Sequence, residues 1–282
     1  MTLTPNQFTG SLSKFRPPLV YELTGRQFTL EFDDGYDRIL TFKDRKTLSF
    51  GTAGEEKEYP YECLKAADRC YYVNFEEPTQ RPRLSYTLVL DLVQDLVTMV
   101  LGHLYINPKI PGVPSVDFVF GGIRREDGTV PTARHGFTTD LMGVSVDWNY
   151  GSFDIAHVYA TEHYYRVAFT PRGLARAYRG NPSLRQTPSG SGERKPMPRD
   201  PYEDYCSVVK IRDRLYLVSI LETVKARRSG FGDSILVLIN FDEMHDVGRS
   251  LGADGDGGTL GAFGVLHDAS DVLAQKSSLF VR

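Results

Sequence analysis

Four side chains in the second half of the chain have the types and spacing for proton chemistry: His157 with Tyr159, and Tyr216 with Glu222. In an extended strand, alternate side chains share a face. Over Phe153–Tyr159 that parity groups Phe153, Ile155, His157 and Tyr159, and over Leu215–Val224 it groups Tyr216, Val218, Ile220 and Glu222. If both faces point inward, they enclose an aromatic-lined space that Trp148 and Tyr150 also reach. A His titrates near neutrality and a buried Glu is pushed up towards it, so either can exchange a proton at pH 7. A Tyr hydroxyl can stabilise developing charge. His157, Glu222 and Tyr216 are therefore the candidate catalytic residues, and Trp148, Tyr150, Phe153, Tyr159, Val218 and Ile220 the candidate ligand contacts. The competing reading has Glu222 and His157 hydrogen-bonded within a core or facing solvent.

The elements that must position these residues are written twice, as a search for internal similarity shows. Leu23-Thr24-Gly25 and Leu141-Met142-Gly143 open strand-like runs 118 residues apart, and hairpin chemistry follows at Asp33-Asp34-Gly35 and Gly151-Ser152. Tyr59-Pro60-Tyr61-Glu62 matches Asp200-Pro201-Tyr202-Glu203, and Asp68–Val73 matches Asp213–Val218, which carries Glu77 onto Glu222 and Tyr71 onto Tyr216. Leu84–Leu92 then matches Ser234–Asp242, and the copies close at Gly102 and Gly252. In the first copy Ile39 and Thr41 stand where the second has His157 and Tyr159, so the second is better equipped for chemistry.

Period-two alternation with turns at short spacing predicts a mainly β protein, an antiparallel barrel built from two repeated halves, with a sandwich as the alternative. The expected boundaries are an N-terminal extension over 1–22, a first repeat over 23–106, a Pro- and Gly-rich linker over 107–134, and a second repeat over 135–282. A polar loop is inserted in the second repeat at 180–200, and Arg172–Tyr178 is predicted to form a helical turn or two. Because a repeat of about 80–100 residues is short for eight strands, one shared barrel is expected rather than two. His135, Thr138, Thr139 and Asp140 are expected to satisfy backbone groups at a turn.

Composition narrows the function classes. The formal charge of −3, from 33 basic and 36 acidic residues, steers the chain towards neither nucleic acid nor an anionic membrane. The longest apolar run, Leu88–Leu101, is broken by Asp91, Gln94 and Asp95, so no membrane span is expected. Cys63, Cys70 and Cys206 make no disulfide framework, and Met1–Arg16 lacks a signal-like apolar run, so a reduced, cytoplasmic setting is expected. The six histidines form no HExxH or Cys/His set, and no P-loop, Rossmann or G-x-S-x-G pattern occurs. No metal and no cofactor are expected.

Arg134–Gly143, followed by Val146-Asp147-Trp148-Asn149-Tyr150 and His157-Val158-Tyr159, resembles the junction and C-terminal half of MoaF-like proteins. Lys210–Tyr216 with Glu222, and Val247–Gly252, are similar to that family too, and the first half contributes less to the resemblance. The resemblance implies a lipocalin-like, calycin-type fold of two related halves. The family label, molybdenum cofactor biosynthesis protein F, carries little chemistry, and no pterin-phosphate site is visible. Relatives among natural-product gene sets imply a cofactor-independent lyase, isomerase or cyclase acting on a hydrophobic polyketide-, terpenoid- or phenol-like molecule. The alternative is a lipocalin-like carrier of a hydrophobic metabolite. The expected partner is thus a small molecule, with a homodimer as an option.

Overall fold

The computed structural model describes residues 13–79, 83–104, 113–151, 154–169, 202–229, 232–252 and 257–266. Eight antiparallel strands close the first barrel: β1 (Gln27–Phe32), β2 (Asp37–Phe42), β3 (Thr47–Gly51), β4 (Lys57–Ala67), β5 (Cys70–Glu77), β6 (Leu84–Asp91), β7 (Leu96–His103) and β8 (Ser115–Ile123). After the two-residue β9 (Gly136–Phe137), a second set follows: β10 (Ser145–Asn149), β11 (Asp154–Tyr159), β12 (Tyr164–Phe169), β13 (Tyr202–Arg212), β14 (Leu215–Leu221), β15 (Asp233–Asn240), β16 (His245–Gly252) and β17 (Gly257–Leu266). It closes through β12 on β13 and β10 on β17, with β9 paired beside β12 on the edge of β13. A short helix, α1 (Thr223–Ser229), joins β14 to β15. None of the helices among the described residues is long and apolar enough to cross a membrane.

The expectation of one shared barrel is corrected to two. Three short strands of five or six residues, β1 to β3, and a two-residue turn between β4 and β5 help fit eight strands into residues 27–123. The segment read as a linker supplies β8, the strand that closes the first barrel on β1. Gly121 and Gly122 mark crowding rather than slack: a Cβ on Gly121 would lie 2.5 Å from the Glu31 carbonyl oxygen.

The repeat extends to backbone detail. The β4–β5 and β13–β14 hairpins carry the same bulge and a left-handed residue at the same place, Arg69 (φ 50°) and Arg214 (φ 58°). Asp95 (φ 57°) and Met244 (φ 49°) repeat this between β6 and β7 and between β15 and β16. Non-glycine residues rarely take this conformation, so a shared pair of them marks one template used twice.

The barrels meet through the same face. Outward side chains of β4 to β7, among them Leu64, Tyr72, Val89 and Val100, pack on Val209, Leu217, Leu236, Leu238, Val247 and Leu251 of the second barrel. Asn240 Nδ2 donates to the Ala66 carbonyl at 3.0 Å. Reciprocally, Gln94 Nε2 donates to the Ile211 carbonyl at 2.8 Å, beside Asp91, which stands where the second barrel has Asn240. Such exchange of equivalent contacts is the pattern of a two-fold interface. Polar links seal its edges: Tyr72 Oη donates to the Leu236 carbonyl at 2.9 Å, and Arg249 binds Glu76, which Arg83 also holds at 3.2 Å. The entering chain ties both barrels, since Arg16 Nη1 reaches Glu62 at 3.3 Å and Thr259 at 2.6 Å. Leu217 is wholly buried in this face. Leu217→Ala is therefore expected to lower unfolding free energy by about 2–5 kcal/mol, read from urea titrations followed by fluorescence and circular dichroism. A loss below about 0.5 kcal/mol would mean the face contributes little to stability.

Candidate functional site

Cross-strand register fixes which side chains enter the second barrel. Val146 pairs with His157, which pairs with Val167; Tyr159 pairs with Tyr165, and Tyr165 with Asp204. Trp148, Tyr150, His157, Tyr159, Val218 and Ile220 are all buried, and with the exception of His157 they belong to one apolar interior cluster. Phe153, the inserted loop 180–200 and the helical turn predicted at Arg172–Tyr178 lie outside the described residues.

The three candidate catalytic residues do not converge. The His157 ring packs edge-on against Tyr165 with centroids 5.0 Å apart, and burial pushes its pKa down to about 3, so it is neutral at pH 7. Tyr216 Oη reaches out to Asp140 Oδ2 at 3.2 Å, a carboxylate that also holds Lys210 at 2.7 Å at the rim. The strand read as running to Val224 ends at Leu221, and Glu222 opens α1: its carbonyl accepts from Ala226 N and its Oε2 from Asp233 N at 3.2 Å. His135 leaves the expected turn cluster and is buried between the barrels, with Nδ1 2.8 Å from Thr98 Oγ1 and Nε2 3.7 Å from Asp91.

Two interior carboxyl groups were not singled out from the sequence. Asp246, on β16, accepts from Ala262 N at 2.7 Å and Tyr150 Oη at 3.2 Å, and burial raises its pKa to about 7. Asp204, on β13, accepts from Thr223 Oγ1 at 2.6 Å and Val224 N at 3.0 Å through Oδ1. Burial, with the Glu222 charge adding to it, raises Asp204 to about 7 against those hydrogen bonds. Among the described residues its Oδ2 has no partner, and neither has the buried Tyr159 hydroxyl. A buried polar atom left unpaired costs about 1–3 kcal/mol, so each of the two calls for an explanation. The signal for Asp204 was present but misread. Pairing Tyr59–Glu62 with Asp200–Glu203 hides it, whereas the strand register places Asp204 where the first barrel has Tyr59.

Equivalent positions show how the interiors diverged. The first barrel packs Phe50, Tyr59, Phe75 and Tyr86 ring against ring, with Phe75 and Tyr86 stacked at 4.9 Å. By register, these positions hold Val167, Asp204, Ile220 and Ile235 in the second barrel; Tyr61 becomes Cys206, Met99 becomes Gly248 and Leu101 becomes Ser250. The opposite wall gains bulk instead, Trp148 for Leu30 and Tyr165 for Leu48. His157 stands where the first barrel has Leu40, not Ile39, because the first β1–β2 turn is one residue longer. The second interior therefore has aromatic rings on one side and smaller or acidic groups on the other, and Val224 of α1 joins the same cluster.

The remaining features are structural. Glu77 is held ionised, with a pKa pushed down to about 2 by hydrogen bonds from Thr79 and then by Lys57 and Tyr59. Cys63, Cys70 and Cys206 are free, and burial raises each thiol to about 12. A separate cleft of about 550 Å³ lies between the barrels, lined by Phe118, Phe137, Tyr164, Tyr205, Ser207 and Ser219 among others.

These features define a tandem pair of lipocalin-like barrels, one packed with rings and one with buried acids in its interior. Residues 3–106 match the MoaF N-terminal domain, which supports assigning the chain to the MoaF-like family. The match falls on the half where the sequence resemblance rested least and ends before β8. No curated protein is matched.

Asp246 gives a test with a definite sign. Its folded pKa lies above the unfolded value near 3.9, so the native state holds the proton longer, and its contribution to stability falls as pH rises from about 4 to about 7. Asp246→Asn keeps an acceptor for Ala262 N and carries no charge. It is expected to stabilise the fold by roughly 1–3 kcal/mol at pH 8 and by little at pH 4, measured by denaturation at both. An equal effect at the two pH values would show that Asp246 does not titrate in this range.

Proposed function

We propose that the second barrel binds a small, largely apolar organic molecule and moves protons on it without a bound cofactor, as a lyase, isomerase or cyclase. The observation that carries this reading is Asp204, a buried carboxyl raised to about 7 whose Oδ2 has no partner among the described residues, in an interior with smaller side chains than its sister barrel at several positions. Near pH 7 such a group is present in both protonation states, so it can take a proton from one carbon or oxygen and return it to another. The Tyr159 hydroxyl is a donor for negative charge developing on the substrate, and the apolar walls make that donation stronger than it would be in water. Trp148, Tyr165, Ile220 and Ile235 suit a polyketide-, terpenoid- or phenol-like skeleton and hold it in one orientation, itself a large part of a rate enhancement. Dehydration, isomerisation and cyclisation all fit this equipment.

A carrier is the rival reading, supported by the way α1 closes the chamber through Asp204, as retention of cargo requires. One experiment separates them. Ligand captured by native mass spectrometry from the host would be returned to the protein in deuterated buffer, and its mass and structure followed. Conversion or solvent-deuterium uptake by wild type, reduced about 100-fold or more in Asp204→Asn at saturating ligand, is the expected result. A ligand that stays bound, unexchanged and unconverted would make the barrel a carrier.

A further inference from the structure

We infer that the ligand of the second barrel carries a protonated amine, seated between the free Asp204 Oδ2 and the Tyr159 hydroxyl, with its apolar skeleton against Trp148 and Tyr165. The inference deepens the proposed function and rests on the chamber described there.

The charges of the interior are one-sided. Asp204 and Asp246 are both buried and face inward, and Glu222 adds a third carboxyl at the end of β14. Among the described residues the buried base is Arg249, and its register with Leu236 and Thr259 turns it outward, onto Glu76 of the first barrel. Lys210 is bound to Asp140 at the rim, Arg166 to Glu203 at 2.7 Å, and Arg227 on α1 is exposed. The uncharged neighbours are His157, Tyr165 and Cys206, and the Tyr150 hydroxyl is already turned to Asp246. Among the described residues this acidic interior disfavours a carboxylate or phosphate ligand and offers Asp204 no counter-charge.

A second observation is independent of the acids. The Tyr159 hydroxyl is buried and unpartnered. The Cys206 thiol, which follows Asp204 on the same inward face of β13, lies close enough to act on it electrostatically. An ammonium group has donors for both oxygens at once, and the rings of Tyr159, Tyr165 and Trp148 supply cation–π attraction. An alcohol of the same shape satisfies one partner and neutralises nothing.

Trp148 is the single tryptophan of the chain and lies inside this barrel, so its fluorescence reports occupancy directly. Phenethylamine, 2-phenylethanol and 3-phenylpropionate would be titrated into the full-length protein at pH 6 and pH 8, with that fluorescence as the readout. The amine should bind at least about tenfold more tightly than the alcohol at pH 8, the margin of a charge-assisted hydrogen bond. It should lose part of that margin at pH 6, where Asp204 takes up a proton, and all of it in Asp204→Asn. The wild-type pH comparison decides the matter if that variant does not fold. Alcohol or carboxylate binding as tightly as amine would overturn the amine assignment and leave the chamber standing. No change in Trp148 fluorescence with any of the three at millimolar concentration would overturn both.

Discussion

The outward face of β4 to β7 cannot exist alone in water. It presents Leu64, Tyr72, Val89 and Val100 where an isolated barrel would carry polar groups, and the matching face of β13 to β16 is equally apolar. Each barrel is therefore the solvent-excluding partner of the other. This constraint explains why register, bulges and left-handed turn residues repeat so closely. A shift of one residue in any of these eight strands would turn an interface side chain inward and an interior one outward.

With the outer face held fixed, the interiors were free to differ, because inward and outward residues alternate and respond to separate demands. The first barrel spends its volume on rings that fill the space, and its inward carboxylate, Glu77, is fully tied to Thr79, Lys57 and Tyr59. The second keeps the same shell and replaces larger side chains with Asp204, Cys206, Gly248 and Ser250. Burying Asp204 and Asp246 destabilises the folded state near neutral pH, and the apolar face between the barrels offsets that cost. Stability and chemistry are thus assigned to different layers of one molecule.

The β class, the tandem repeat and the inward set Trp148, His157, Tyr159, Val218 and Ile220 were legible from parity and turn chemistry alone. What stayed hidden was the register between the copies. The offset changes at several hairpins, by one residue between β1 and β2, and the four-residue similarity of Tyr59–Glu62 to Asp200–Glu203 pulled the alignment away from Asp204. The helix α1 was illegible for another reason. It is seven residues long with no acidic first turn, and the cap on its backbone comes from Asp204, a neighbour in space rather than in sequence. Glu222 and Tyr216 kept their parity, but strand ends and rims are where parity stops deciding what a side chain meets.

The single chain that joins the barrels has a consequence for what the molecule could become. Two separate copies meeting through this face would form a symmetric dimer, and every substitution in such a dimer appears twice. An acidic interior would then be imposed on both partners, doubling its destabilising effect. Joined in one chain, with Arg16 bridging the two shells, one barrel can act as ballast while the other tolerates buried acids. The peptide connection also makes the pairing independent of protein concentration, so the second barrel keeps its partner at any dilution in which the chain itself survives.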